Sequence, residues 1–435
     1  MAWPLAGQDD FGFGDDAAED GGGFGFDGGS PGGLPAVSIG GEVAAAFTGF
    51  VYDFSDAAKV DWGDVFTGKL NFSASGGNAE AVINLKLAAV FDGSSPVAID
   101  EAYVRGYFGG FDLEGGLRKL TWGKADVLGP LDVINPLDYS DFTNLSEVAD
   151  MKLPRPLVHA SYRFGSFTKL EGVFIPVFEG HLFDMTGRWK PAQMDLMDQF
   201  RQLLPPDTDL ASLYPDTRSL KYAQTGLRFT TSIGPVDIGA QYFYGNLFQP
   251  AQKIDIGLLP NLPVTLDYNR YHQIGVDYAQ VVAGFNLRAE AAANITGDLA
   301  GDDGAVYNPS LGWSLGFDRD LVWGINLNLE GLGSIRLLDD KVGAWPADVD
   351  GGTDVTATRL IISLTKNLLR DTLELRAAGI WEIEEKDFII MPAISWTKGD
   401  IRLTLSGGIF GGDGEGFFGQ YKDNTYIRAE MSYSF

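Results

Sequence analysis

The chain has 435 residues, 57 of them glycine, with no cysteine, 12% aromatic and 21% charged residues, and a formal net charge of −27. This composition excludes a disulfide framework, a thiolate nucleophile and a cysteine-held metal, and the charge argues against nucleic acid or anionic lipid headgroups as the main partner. No apolar run reaches the roughly 18 residues that a transmembrane helix needs.

Met1–Ala6 is too short for the charged and apolar regions of a secretory leader, so an exported form is expected to have lost its leader. Residues 7–35 carry seven acids and no base among many glycines and a repeated "FGF". Such a segment buries too little apolar area to offset its ordering entropy, which predicts a disordered tail over 1–35. The remainder, 36–435, reads as one β-domain.

From Val37 onward, residues alternate between apolar and polar with period two. In 285–294, Phe285, Leu287, Ala289, Ala291 and Ala293 alternate with Asn286, Arg288, Glu290 and Asn294; in 323–335, Trp323, Ile325, Leu327 and Leu329 alternate with Asn326, Asn328 and Glu330. In 373–384, Leu373, Leu375, Ala377, Gly379, Trp381 and Ile383 share one face, and Glu374, Arg376, Glu382 and Glu384 the other, with Ala378 and Ile380 interrupting the polar list. About 18 strands are predicted, at 37–52, 64–74, 79–91, 97–108, 111–122, 155–165, 167–176, 219–232, 236–247, 264–279, 284–295, 310–319, 322–336, 355–365, 371–384, 387–397, 400–410 and 425–435. Most are about 10 residues or a little longer, enough to cross a bilayer when tilted.

Even-numbered connections are short ("SGGN", "GGF", "GS", "IGP", "TKGD"), whereas odd-numbered ones are mostly long. This wiring predicts an all-β fold: a transmembrane antiparallel β-barrel of 16–18 strands with short periplasmic turns, long extracellular loops and both chain ends on the periplasmic side. The chain stops on "TYIRAEMSYSF", in which Thr425, Ile427, Ala429, Met431, Tyr433 and Phe435 form one face. In an open sheet this last strand would be an exposed edge; in a closed barrel it pairs with the first. A terminal Phe435 preceded by aromatics at alternate positions resembles the signal by which bacterial outer-membrane barrels reach their insertion machinery, and implies that machinery and outer-membrane lipid as partners.

An inward face that is polar and mixed in sign suits water. Lys69, Lys86, Arg105, Arg118, Lys124 and Arg163 are expected on the inner wall of strands two to six. The connection 123–154 supplies Asp126, Asp132, Asp138 and Asp141, with Glu147 and Asp150 beyond. The arrangement is similar to that of general porins, in which a long loop folds into the barrel and sets acids against a basic wall; opposed charges there orient dipolar solutes. The stretch "WGKADVLGPLDVINPLDYSDF" (122–142) also resembles a segment of a large family of uncharacterised outer-membrane barrels, through Trp122, Gly123, Lys124 and Asp126, then Asn135, Pro136 and Asp138. That resemblance implies fold and location, not cargo. Pro130 and Pro136 favour a compact loop.

The connection 177–218 contains "KPAQMDLMDQFRQLLPP", a predicted amphipathic helix with Leu196, Met197, Phe200, Leu203 and Leu204 on one face. It either packs as a lid, lines a way in for hydrophobic molecules, or meets a partner protein.

Signals for enzymatic chemistry are weak. Only His159, His181 and His272 exist, without metal-ligand spacing. Asp298, Asp302 and Asp303, and likewise Asp413 and Glu415, match no defined calcium loop. No enzyme activity, metal or cofactor is expected. The expected function is a porin, passive or selective for small solutes, narrowed by 123–154 and capped by 177–218. Its net charge favours mild cation preference, and a homo-oligomer stays open. The alternatives are a transporter of hydrophobic compounds and a structural or adhesive, array-forming surface protein.

Overall fold

A computed structural model describes residues 36–51, 60–89, 97–143, 145, 148–192, 214–254, 264–343 and 348–435. The acidic segment 1–35 and the expected loop helix, with Leu196, Met197, Phe200, Leu203 and Leu204, lie outside the described residues. Eighteen strands form one antiparallel sheet. They are β1 (Ala36–Val51), β2 (Val60–Gly76), β3 (Ala79–Ala89), β4 (Val97–Phe108), β5 (Phe111–Arg118), β6 (Arg155–Phe164), β7 (Thr168–Ile175), β8 (Gln224–Ile233) and β9 (Val236–Asn246). The second half comprises β10 (Arg270–Val282), β11 (Phe285–Thr296), β12 (Ser310–Asp320), β13 (Ile325–Arg336), β14 (Thr356–Leu368), β15 (Leu373–Glu382), β16 (Asp387–Lys398), β17 (Ile401–Gly412) and β18 (Tyr426–Ser434).

Each strand pairs with the next, and β18 pairs with β1 from Glu42 opposite Ser434 to Phe50 opposite Tyr426. The sheet is therefore a closed barrel without a free edge. Phe435 adds two further main-chain bonds, exchanging N–H···O contacts of 2.9 Å with Gly41 in both directions. The tight connections follow the expected even-numbered pattern. At two of them Gly77 and Gly109 take φ of 65° and 72°, which two-residue hairpins require and side chains other than glycine disfavour.

The alternation becomes two surfaces. Phe47, Val104, Val158, Leu227, Ile274, Leu315, Ile362, Ile394 and Leu405 all point away from the barrel and stay exposed. Their neighbours in sequence point inward. A barrel this apolar on its outer face needs a non-aqueous surrounding.

One expectation changes. The strand expected at 264–279 divides: Val264–Asp267 pairs with Ala251–Ile254 in a separate hairpin, and only Arg270 onward joins the barrel. The connection after β15 (383–386) is the short exception among the odd-numbered ones, as the expected strand bounds 371–384 and 387–397 imply. In β3–β4 the register shifts at Asn84/Leu85, where Glu101 faces Asn84 and Ile99 faces Leu85, leaving Asp100 as an extra residue. This bulge turns two consecutive acids inward, since Asp100 meets Lys86 at 3.2 Å and Lys119 at 2.6 Å while Glu101 meets Arg118 at 2.9 Å.

Candidate functional site: a folded loop inside the barrel

Residues 119–154 connect β5 to β6 and fold into the barrel. The loop's two ends are held together by Asn135. Its Oδ1 accepts the Leu120 N–H at 2.8 Å, and its Nδ2 donates to the carbonyls of Leu153 (2.8 Å) and Arg118 (3.2 Å). Lys152 adds an ion pair to Asp132 at 2.6 Å and a bond to the Thr121 hydroxyl. Asp138 and Asp141 turn the chain locally by accepting the main-chain N–H groups of Ser140 (2.9 Å) and Thr143 (2.8 Å).

The loop then meets the far wall. Glu290 of β11 accepts main-chain N–H bonds from Lys124, from Ala125 at 2.8 Å and from Leu131 at 3.2 Å. Glu330 of β13 accepts the Val127 N–H at 3.1 Å. Gln241 and Gln273 donate to the Leu131 and Pro130 carbonyls, each at 2.9 Å. Asp126 pairs with Arg288 and accepts from Asn328 at 2.8 Å. The glycines make this approach feasible: a Cβ on Gly123 or Gly129 would stand 2.3 or 2.2 Å from a Glu290 carboxylate oxygen, and Gly123 also has φ of 104°.

Apolar packing fixes the rest. Val127, Leu128, Tyr139, Phe142 and Leu145 of the loop bury against the inward residues Ile361, Ile380, Ile389, Met391 and Phe410 of β14–β17. Trp189 and Tyr421, from other long connections, join this cluster; their rings lie 5.3 and 5.1 Å from that of Phe142. On the opposite side Trp122 and Ile134 pack on Leu157, Val173, Phe243 and Tyr271. His181 links two connections, its Nδ1 accepting the Leu137 N–H at 2.9 Å. Burial pushes the imidazole down to about 3, which keeps it a neutral acceptor.

The residues singled out from sequence divide into three groups. Lys69 and Lys86 stand directly opposite each other on β2 and β3, inward, and both meet Asp150 of the short helix α1 (Val148–Met151). Lys69 Nζ lies 2.8 Å and Lys86 Nζ 3.3 Å from its carboxylate. Arg105 and Arg118 pair with Glu114 at 3.2 and 3.1 Å, and Arg163 pairs with Asp112 at 3.4 Å. Arg118 closes β5 at the long-loop end, whereas Arg163 stands beside the tight turn 165–167, so these bases do not share one depth. Lys124 belongs to the loop rather than to a strand, with Asp237 at 4.0 Å. Of the loop acids, Asp126 pairs with Arg288 and Asp132 with Lys152, and Asp150 is the one that faces Lys69 and Lys86.

Sequence reasoning treated Glu290 and Glu330 as water-facing, but both are buried beneath the loop. The available signal was Ala378 and Ile380 on an otherwise polar face, because inward apolar residues need an internal partner. Among the described residues no group of three or more His, Asp or Glu is placed to hold a metal.

No protein-family model and no curated protein matches the chain. Solved structures that resemble it are bacterial outer-membrane proteins. Pseudomonas aeruginosa OccK11 (OpdR) is 11% identical over 92% of this chain and 95% of its own, with a TM-score of 0.49. The outer membrane channel DcaP of Acinetobacter baumannii is 12% identical over 92% and 98%, with a TM-score of 0.45. Salmonella typhi OmpF, in complex with daunomycin, is 8% identical over 92% and 98%, with a TM-score of 0.43.

Proposed function

We propose that the chain is an outer-membrane channel of the porin type, through which small polar solutes diffuse past the loop 119–154. The observation that carries this reading is the placement of that loop. It lies inside an 18-strand barrel that is apolar outside, and a barrel of that size holds an aqueous channel unless something fills it. The loop's contacts with β11, β13 and β14–β17 are buried, whereas its contact with Lys69 and Lys86 is reached by solvent: the side chains of Lys69, Lys86 and Asp150 are 46%, 31% and 34% exposed. The solvent-reached lining therefore lies along β2–β4, where the Lys69, Lys86 and Asp150 side chains meet. Lys119, Asp100 and Glu101 extend this mixed-charge lining, which favours solutes able to exchange hydration for paired charges.

Ala36 starts β1 and Ser434 ends β18 at the tight-turn end of the barrel, which supports a periplasmic side for that end. Phe435 then serves as the handle for barrel assembly.

Reconstitution of the purified, folded protein in a planar bilayer tests this reading. Stable single-channel steps that scale with salt concentration are expected, and an electrically silent folded barrel would overturn it.

A further inference from the structure

We propose that the outer wall of β12–β16 carries a binding site for anionic phospholipid at the tight-turn end of the barrel, where Arg319, Lys366 and Lys398 hold the headgroup phosphates. The site needs the outer face to meet lipid, and it stands whether or not the lumen conducts.

The cross-strand register sorts strand residues into an outward and an inward set. In the half of the barrel next to the tight turns, charged residues of the described strands face inward, as Asp112, Lys169, Asp237, Arg288 and Arg402 do. The exceptions are Arg319 of β12, Lys366 of β14 and Lys398 of β16, which share the outward set with Phe317, Leu364 and Trp396. All three are cations, in a chain of net charge −27. Each stands at or near the end of its strand, since β12 ends at Asp320, β14 at Leu368 and β16 at Lys398. They occupy alternate strands, roughly 10 Å apart, twice the strand spacing.

Among the described residues no carboxylate lies within ion-pair reach of these three, whereas the inward Arg288 and Arg359 pair with Asp318 (2.7 Å) and Glu382. What they do touch holds them at the wall. The Arg319 guanidinium lies 4.2 Å from the centre of the Phe285 ring, which packs on Phe317 at 5.5 Å. Lys366 Nζ donates to the Trp323 carbonyl and keeps two further donors. Trp323 and Trp396 are exposed beside them, as aromatics of the interfacial layer are. The acids of this end stand elsewhere: Asp371 and Asp400 lie in the turns, and Asp320 is inward, accepting from Asn326 Nδ2 at 3.0 Å. A cation on a lipid-facing wall is costly without an anion, and the interface supplies phosphate. The acidic segment 1–35, which leads into β1 at the same end, is the competing anion. The outward direction of the three side chains favours lipid.

Native mass spectrometry of the full folded chain, released from micelles that hold equal amounts of phosphatidylglycerol and phosphatidylcholine, tests the site. Phosphatidylglycerol is expected to be retained about fivefold or more over phosphatidylcholine, the gain of one basic residue at an anionic surface. The Arg319→Gln/Lys366→Gln/Lys398→Gln variant is expected to retain both lipids alike. Lys341→Gln removes a cation from the long connection after β13, where it pairs with Asp302 at 3.5 Å, and is expected to keep the native ratio. Should the triple variant not fold, Lys398→Gln alone, at the exposed end of β16, is expected to lower the ratio, and an unchanged ratio there overturns the site. A folded triple variant with the native preference overturns it as well. Equal retention of the two lipids by the native chain also overturns it, and a preference that emerges only when residues 1–35 are deleted gives the cations to the acidic segment instead.

Discussion

Replacing residues 122–151 with a short glycine–serine linker is expected to leave a folded barrel and to raise its unitary conductance roughly threefold or more, because an unfilled barrel of 16–18 strands is an open channel. The linker need only be short, since Lys152 Nζ already touches the Thr121 hydroxyl at 2.6 Å. No barrel strand is cut: β5 ends at Arg118 and β6 starts at Arg155. The excision has a cost in stability, because Ile361, Ile380, Ile389, Met391 and Phe410 lose their cover. Each such side chain is worth about 1.5–3 kcal/mol when buried, so the variant is expected to unfold at a lower denaturant concentration. An excised barrel that folds but conducts no more than the native protein would show that the loop does not narrow the lumen.

The second large effect is expected at Glu290. Glu290→Ala strands three main-chain N–H groups, those of Lys124, Ala125 and Leu131, in a buried place. An unsatisfied buried group costs about 1–3 kcal/mol, so the segment 123–131 loses about 3 kcal/mol or more of its hold on the wall. The chain has no cysteine of its own, so Leu128→Cys, at a buried loop position, reports loop release by its rate of thiol labelling. With 1.4 kcal/mol to each factor of ten, labelling is expected to accelerate about 100-fold in the Glu290→Ala background. Glu290→Gln keeps one acceptor oxygen and is expected to fall between the two. Equal labelling rates in all three would mean that the apolar clusters alone hold the loop.

Much of the architecture could be read from the residues. Period-two alternation and the short–long rhythm of connections are local signals, and both follow directly from tilted strands that face lipid on one side. The terminal Phe435 was legible for the same reason, since a closed barrel gives a last strand somewhere to pair. The hairpin Ala251–Ile254 with Val264–Asp267 was not, because its alternation runs on into that of β10 and only pairing separates the two.

The loop's position was legible as chemistry but not as geometry. Acids on 123–154 and bases on β2–β6 suggested opposition across a gap. Yet Asp138 and Asp141 fold the loop on itself, Asp132 pairs within it, and Asp126 crosses to Arg288. Partners this distant in sequence are set by where the loop lands. That landing is fixed by Gly123 and Gly129 against Glu290, a contact with no signature at short range.

The channel reading requires that one face of each strand meet lipid while the other meets water. Spin labels placed singly at residues 360–365 of β14 in bilayer-reconstituted protein test it most directly. Leu360, Ile362 and Leu364 point outward, whereas Ser363 and Thr365 lie on the opposite, inward face of the same strand, opposite Ala378 and Arg376 of β15. Lipid-soluble oxygen is expected to relax labels at 360, 362 and 364, and a water-soluble nickel chelate those at 363 and 365. Labels at 360, 362 and 364 that are shielded from oxygen, in a protein monodisperse without detergent, would contradict the account.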